Sequence, residues 1–188
     1  MKFERGFKAH ANRVALEVRN DLNLDSISPL CPWNLAEDLC IPVLPLSTLA
    51  GASSDLAGHV DYLANRVPQV FSAITVFHGP RRLIVHNDAH APTRQRSDLA
   101  HELAHALLLH PPHPPFCSDG QRKFDGELEA EAGWLGPVLL VPNEAAIWVA
   151  AKRISVSEAA GHFGVSVDLM RFRLRMSGAE HIARHRFA

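Results

Sequence analysis

His101, Glu102 and His105 form the run His-Glu-x-x-His inside "RSDLAHELAHALLLH", residues 96–110. On a helix, residues four apart differ by ~400° and ~6 Å, so His101 and His105 project almost together. Two imidazoles placed in this way reach one metal ion. Zinc accepts histidine nitrogen, and a catalytic zinc takes three protein ligands and leaves a fourth position for water. Glu102 follows the first histidine and is in reach of that water as a general base. The chemistry this predicts is zinc-assisted hydrolysis.

The element carrying these residues is read as a helix with Ser97 as its N-cap and Asp98 in its first turn. Leu99, Leu103 and Leu107 share one face, while Leu108 and Leu109 fall on the histidine side. A helix apolar nearly all round is expected to be buried, and buried polar groups need partners. A metal and its water supply them. The proline run "PPHPPF" is expected to stop this helix after His110, with His110 and His113 exposed in the loop.

A third ligand is required. "GELEAEAGW" places Glu127, Glu129 and Glu131 on a second helix that starts near Asp125. Residues two apart point ~200° away from each other, so Glu129 and Glu131 do not both face one metal. They flank the stripe Leu128, Ala132, Leu135 and Leu139 on opposite sides, and the helical angle alone leaves the choice open. Pro137 predicts a kink or an end in this helix.

"LAHELAHALLLH", "ELEAEAGWLGPVLLVP" and "AAGHFGVSVDLMRFRLRMSG" together resemble the ImmA/IrrE family of zinc metallopeptidases. The resemblance extends upstream through "PWNLAEDLCIPVLPL" and "ITVFHGPRRLIVHNDAH". It implies zinc held by His101, His105 and a glutamate that opens a Glu-x-Glu-Ala pattern. Anchoring on Leu139-Leu140-Val141-Pro142 makes that glutamate Glu129. Gly133 stands where the family often carries Asn or Asp, and Gly136 and Pro137 stand where small helical residues are usual. The resemblance further implies a site-specific endopeptidase whose substrate is a helix-turn-helix transcriptional repressor or a similar regulatory protein.

The remaining sequence sets the frame. The chain has 188 residues, is 47% hydrophobic and 21% charged, and carries a net charge of −1. That suits a globular protein with a real core. No apolar run approaches the ~20 residues of a membrane span. The opening Met-Lys-Phe-Glu-Arg has no signal-peptide apolar stretch, which predicts a cytoplasmic protein. Cys31, Cys40 and Cys117 form no Cys-x-x-Cys pair, which argues against a thiolate zinc site or a disulfide framework. Charge is uneven: residues 96–150 hold 3 basic and 8 acidic side chains, residues 151–188 hold 7 and 3.

Helical spacing appears at residues 8–20 through Ala11, Val14, Ala15 and Val18, and a short helix begins near Pro32. "IPVLPL" reads as extended, residues 47–70 are ambiguous, and "FSAITVF" and "RLIVHN" read as two strands around a Gly-Pro turn. The expected fold is α+β: a mainly helical, zincin-like body with a small sheet at residues ~70–86 and the zinc between two helices. Residues 1–150 are expected to form the metallopeptidase domain, and 151–188 a helical C-terminal extension packed on it. That tail has a helix-turn-helix rhythm around Gly164-Val165-Ser166. Its Arg171, Arg173 and Arg175 would suit phosphates, but they alternate by two and do not line one helix face, so DNA is the weaker partner. His86, Asp88 and His90 cluster after the second strand and are candidates to border a substrate cleft. Tyr62 is the only tyrosine. No residue stands out as the oxyanion stabiliser. The rival function is a regulatory protein that keeps zinc for stability and binds a repressor or DNA without cutting it.

Overall fold

The computed structural model describes residues 3–79, 81–111 and 125–186. His113 and Cys117 lie outside them. Among the described residues the architecture is mainly helical with one small sheet. Helices α1 (Phe7–Asp21) and α2 (Pro32–Asp38) come first, then strand β1 (Val43–Pro45), a 3-10 turn at Leu46–Gly51, helix α3 (Ser54–Asp61) and a π turn at Tyr62–Arg66. Strands β2 (Ala73–His78) and β3 (Arg81–His86) lead into helices α4 (Pro92–Leu107) and α5 (Gly126–Leu140). The chain ends in α6 (Asn143–Ala151), α7 (Val156–Phe163), α8 (Val167–Met176) and α9 (Ala179–Arg186).

The sheet order is β1-β3-β2. β2 runs antiparallel to β3 with Thr75 opposite Ile84, and β1 runs parallel to it with Val43 opposite Ile84. The extended "IPVLPL" run thus adds a third strand to the two read from residues 70–86. The ambiguous stretch at 47–70 resolves into short helical turns and one capped helix, where the Ser53 hydroxyl accepts from Leu56 N–H at 3.2 Å.

One main core joins the helical body, and a smaller cluster of Leu46, Val60 and Val85 lies under the 3-10 turn and α3. Phe7, Ala11, Ala15 and Val18 bury one stripe of α1, and Leu99, Ala100, Leu103 and Ala104 bury a face of α4. Trp134, Leu135, Val138 and Leu139 of α5 meet both. Ala159, Phe163, Met170 and Leu174 of α7 and α8 belong to the same core, so the C-terminal helices pack on the helical body. No single described helix is long and apolar enough to cross a membrane. The bent pair α5–α6 passes on length and composition together, yet its apolar side chains are the centre of this core.

α4 packs most extensively against α5, and glycine makes this possible. A Cβ at Gly136 would sit 3.2 Å from both Cα and N of His101. The backbones therefore approach so closely that an added methyl would force them apart by a few tenths of an ångström. The sequence-level departure at Gly136 is a packing requirement at the first histidine of the motif. Gly136→Ala is expected to destabilise the fold by about 1–3 kcal/mol through overpacking, read as a lower midpoint in thermal unfolding. Gly133→Ala is the contrast. Its Cβ would meet nothing within 4 Å, so this change should leave stability unaltered or raise it by about 0.5–1 kcal/mol.

Pro137 does not end α5, which continues to Leu140. Two buried arginines take up the carbonyls at its far end. Arg19 of α1 donates to the Leu139 and Leu140 carbonyls at 2.6 and 3.2 Å. Arg173 of α8 donates to the Val141 carbonyl and to Asn143 Oδ1, each at 2.7 Å. Burial pulls both guanidinium pKa values down to about 10, against the nearby Glu144 carboxylate. Arg173 is thus a fixture of the core, with its donors aimed at α5 and α6. In the turn between α7 and α8, Gly164 adopts φ 64°, and a Cβ there would lie 2.9 Å from Arg96 Nε.

Candidate metal centre

α4 begins earlier than its sequence suggests. Ala91 is the N-cap without a side-chain bond, Pro92 opens the helix, and Ser97 lies inside it. Proline at the first position forgoes an N–H that has no helical partner anyway, and its fixed φ suits the helix. Asp98 consequently sits in the second turn, where its carboxylate lies 3.3 Å from His90 Nδ1 and 3.6 Å from Arg94 Nε. Gln95 donates to the carbonyls of Asp88 and His90 at 3.0 and 2.7 Å, fastening the β3–α4 connection to the helix.

This placement turns His101 and His105 toward α5. Asp125 caps α5, accepting from Glu127 and Leu128 N–H. One turn further on, Glu129 faces the two histidines. Nε2 of His101 lies 3.2 Å from Glu129 Oε2 and 3.2 Å from Nε2 of His105, and Nε2 of His105 lies 3.7 Å from Glu129 Oε1. Their side chains are 31%, 21% and 39% exposed, so the cluster opens to solvent on one side. The donor set fits zinc. Bonds of ~2.0–2.1 Å at a tetrahedral angle would separate donors by ~3.3 Å. Two imidazole nitrogens and a carboxylate at 3.2–3.7 Å meet that spacing, and these three are the His/Cys/Asp/Glu group able to hold a metal among the described residues.

The electrostatics follow from the crowding. The hydrogen bond from His101, and then the nearness of His105, hold the Glu129 carboxyl far below the ordinary carboxylate range, against a partial burial that raises it. His101 moves up. Burial alone would lower it, but the bond to Glu129 and the charges of Glu102, Glu129 and Asp98 outweigh that. Glu102 itself is held by the sheet: Thr75 Oγ1 on β2 donates to Glu102 Oε2 at 2.6 Å. Sequence reasoning did not single out Thr75. The only signal was its place in an alternating strand, which says nothing about the facing helix.

His110 departs from the expectation of an exposed loop residue. α4 stops at Leu107, ahead of the prolines, and Leu109 turns left-handed at φ 55°. His110 N–H bonds the His105 carbonyl at 3.0 Å and Leu109 N–H bonds the Ala106 carbonyl at 3.1 Å. This is the double reversal that closes many helices, usually with glycine at the left-handed position. It folds His110 back beneath His105, where it is buried. Leu109, expected on the histidine side of the helix, is instead 81% exposed. Burial lowers the His110 pKa, against the opposing pull of Glu131.

His86, Asp88 and His90 are taken up in structural contacts. His86 is buried edge-on to Trp33 at 5.8 Å between ring centres. The Asp88 carboxylate accepts from Ser47 N–H and Oγ at 3.0 and 2.6 Å. His90 is buried, with Nε2 donating to the Pro68 carbonyl at 2.8 Å. Tyr62 stands exposed in the π turn. Burial pushes the His86 pKa below its ordinary 6.5, against the charges of Asp88 and Asp98. Between the folded value and 6.5 the unfolded chain binds more protons, so stability rises with pH there and is lost as pH falls from about 6.5. Unfolding by urea at several pH values should show this slope, and His86→Phe should flatten it.

A family model for the IrrE N-terminal-like domain, peptidase M78, matches residues 60–175. The chain belongs to this peptidase family. The match spans β2, β3 and the α4–α5 pair that carries the cluster, and it runs through α6 and α7 into α8. No curated protein and no solved structure gives a significant match. The metal-fitting triad agrees with a metallopeptidase of the M78 family.

Proposed function

We propose that the protein is a zinc-dependent endopeptidase that cleaves a regulatory protein, a helix-turn-helix repressor being the substrate its family resemblance points to. The observation that carries this reading is the convergence of His101, His105 and Glu129 at 3.2–3.7 Å, with Glu102 between the two histidines in sequence. Three donors in a half-open site favour catalysis over a structural role, since structural zinc is typically enclosed by four protein ligands. Zinc held there would supply Lewis acidity to the scissile carbonyl and bring the pKa of water toward 7. Glu102 takes the proton of the attacking water and returns it to the leaving amine. Thr75 holds one carboxylate oxygen of Glu102 and leaves the other to act.

β2 lies at the edge of the sheet, paired among the described residues with β3 alone. An extended peptide can add to such an edge by main-chain hydrogen bonds. Because Thr75 is on β2 and touches Glu102, a chain bound there would pass beside the base.

The test has two parts. Metal analysis of protein purified without chelator should find one zinc per chain. N-terminal proteomics of host cells expressing wild type or Glu102→Gln at equal levels should then reveal new N-termini with wild type only. Zinc without any such N-termini would favour the non-cleaving regulatory reading, and absence of metal would remove both.

A further inference from the structure

The ring of His105 is held from both sides. Its Nε2 faces His101 and Glu129, while its Nδ1 lies 2.8 Å from Nδ1 of His110. His110 in turn places Nε2 3.2 Å from Glu131 Oε2. Resting on the reading of His105 as a metal ligand, we propose that His110 and Glu131 are positioning residues that lock His105 in the Nδ1–H tautomer, so that its Nε2 lone pair always faces the metal site.

The argument is one of donors and acceptors. A ligating imidazole nitrogen offers its lone pair, so His105 must carry its proton on Nδ1. That proton points at His110 Nδ1, which must then accept. A neutral His110 accepting at Nδ1 carries its own proton on Nε2, and Nε2 faces a carboxylate that can only accept. The chain Glu131···H–Nε2 His110 Nδ1···H–Nδ1 His105 gives each of these protons an acceptor and leaves the His105 Nε2 lone pair for the metal. The reverse direction puts the His105 proton on Nε2, against the other donors, and sets the His110 lone pair against the Glu131 carboxylate. The two carboxylates of Glu-Ala-Glu thus divide their work: Glu129 faces the metal site and Glu131 faces the histidine behind it.

The fold invests in this arrangement. A left-handed leucine at 109 costs roughly 1–2 kcal/mol and leaves a large apolar side chain in water. The same turn bonds the backbone of His110 to His105, so main chain and side chain of one residue fix the other.

The experiment reads tautomers directly. Long-range nitrogen–proton NMR of the zinc-free wild type, above neutral pH, should show His105 protonated on Nδ1 and His110 on Nε2. In His110→Ala, His105 should shift toward the Nε2–H form, and zinc affinity from chelator competition should fall about 10–100-fold. His110→Gln should recover most of that loss, because its amide oxygen accepts from His105 and its amide nitrogen donates to Glu131. Should His110→Ala not fold, Glu131→Ala carries the same expectation in the same direction. A wild type with His105 protonated on Nε2, or a folded variant with unchanged tautomer and zinc affinity within twofold, overturns the proposal. Zinc added to wild type should also displace the His105 Nε2 resonance. If it does not, the ligand reading fails and takes the proposal with it; if it does while the tautomer is wrong, the proposal alone falls.

Discussion

Glu102→Gln is expected to reduce peptide cleavage by about 10²–10⁴-fold while leaving zinc stoichiometry unchanged. The side chain holds no place among the three converging donors, so its amide analogue removes a base and no ligand. Gln keeps an oxygen that accepts from Thr75 Oγ1, which preserves the contact to β2 at nearly the original geometry. What it lacks is the lone pair able to take a proton from water. Measured on any cleaved substrate, kcat should carry the loss, and KM should move little because no substrate contact is removed. Activity retained by a zinc-loaded Glu102→Gln protein would mean that another group is the base. Equal loss of zinc and activity would mean that Glu102 is a ligand and the cluster has been read one residue out of place.

What the sequence made legible divides along the range of the interactions involved. The pairing of His101 with His105 depends only on helical repeat, and a strongly periodic helix supplies that locally. The strands at 73–78 and 81–86 were readable for the same reason, since β-branched runs on either side of Gly79 form a hairpin with their own neighbours. The start of α4 was misread because Ser97 is the better cap in isolation. Arg94, Gln95 and Arg96 are bonded to Ser72, to the β3–α4 connection and to Leu30, and those contacts favour a helix six residues longer at its N-terminus.

His110 was misread for a different reason. Nothing in "LLLHPP" says that a leucine will turn left-handed, and propensity argues against it. The compensation is tertiary: the buried histidine gains His105 and Glu131 as partners, and Glu131 comes from a helix whose docking angle no local pattern encodes. Gly136 is the residue where that docking is written, as a missing Cβ against His101. Its meaning appears only once α4 and α5 are placed together. The same docking explains why angle alone could not choose between Glu129 and Glu131. Glu129 reaches the two histidines of α4 and Glu131 reaches His110 in the turn just beyond it, so the choice rests on which histidine each one meets.

Glu129→Ala is therefore the second decisive change, and it should lower zinc affinity by more than the about 10–100-fold typical of losing an orienting partner. Removing Glu129 deletes one of three donors and the only negative charge among them, leaving two neutral imidazoles to hold a divalent cation. It also removes the hydrogen bond and the charge that most oppose the burial of His101, so the histidine pKa should fall in the metal-free protein, with Glu102 and Asp98 left to hold it up. A titration of His101 by NMR would follow that drop independently of metal. Glu131→Ala is the matched control: it spares every donor and disturbs only the partner of His110, so its zinc affinity should fall less. The order of the two losses is the informative quantity. Full zinc content in Glu129→Ala with loss in Glu131→Ala would show that the helix presents the other carboxylate to the metal, and the register anchored on Leu139-Leu140-Val141-Pro142 would have to shift by two residues.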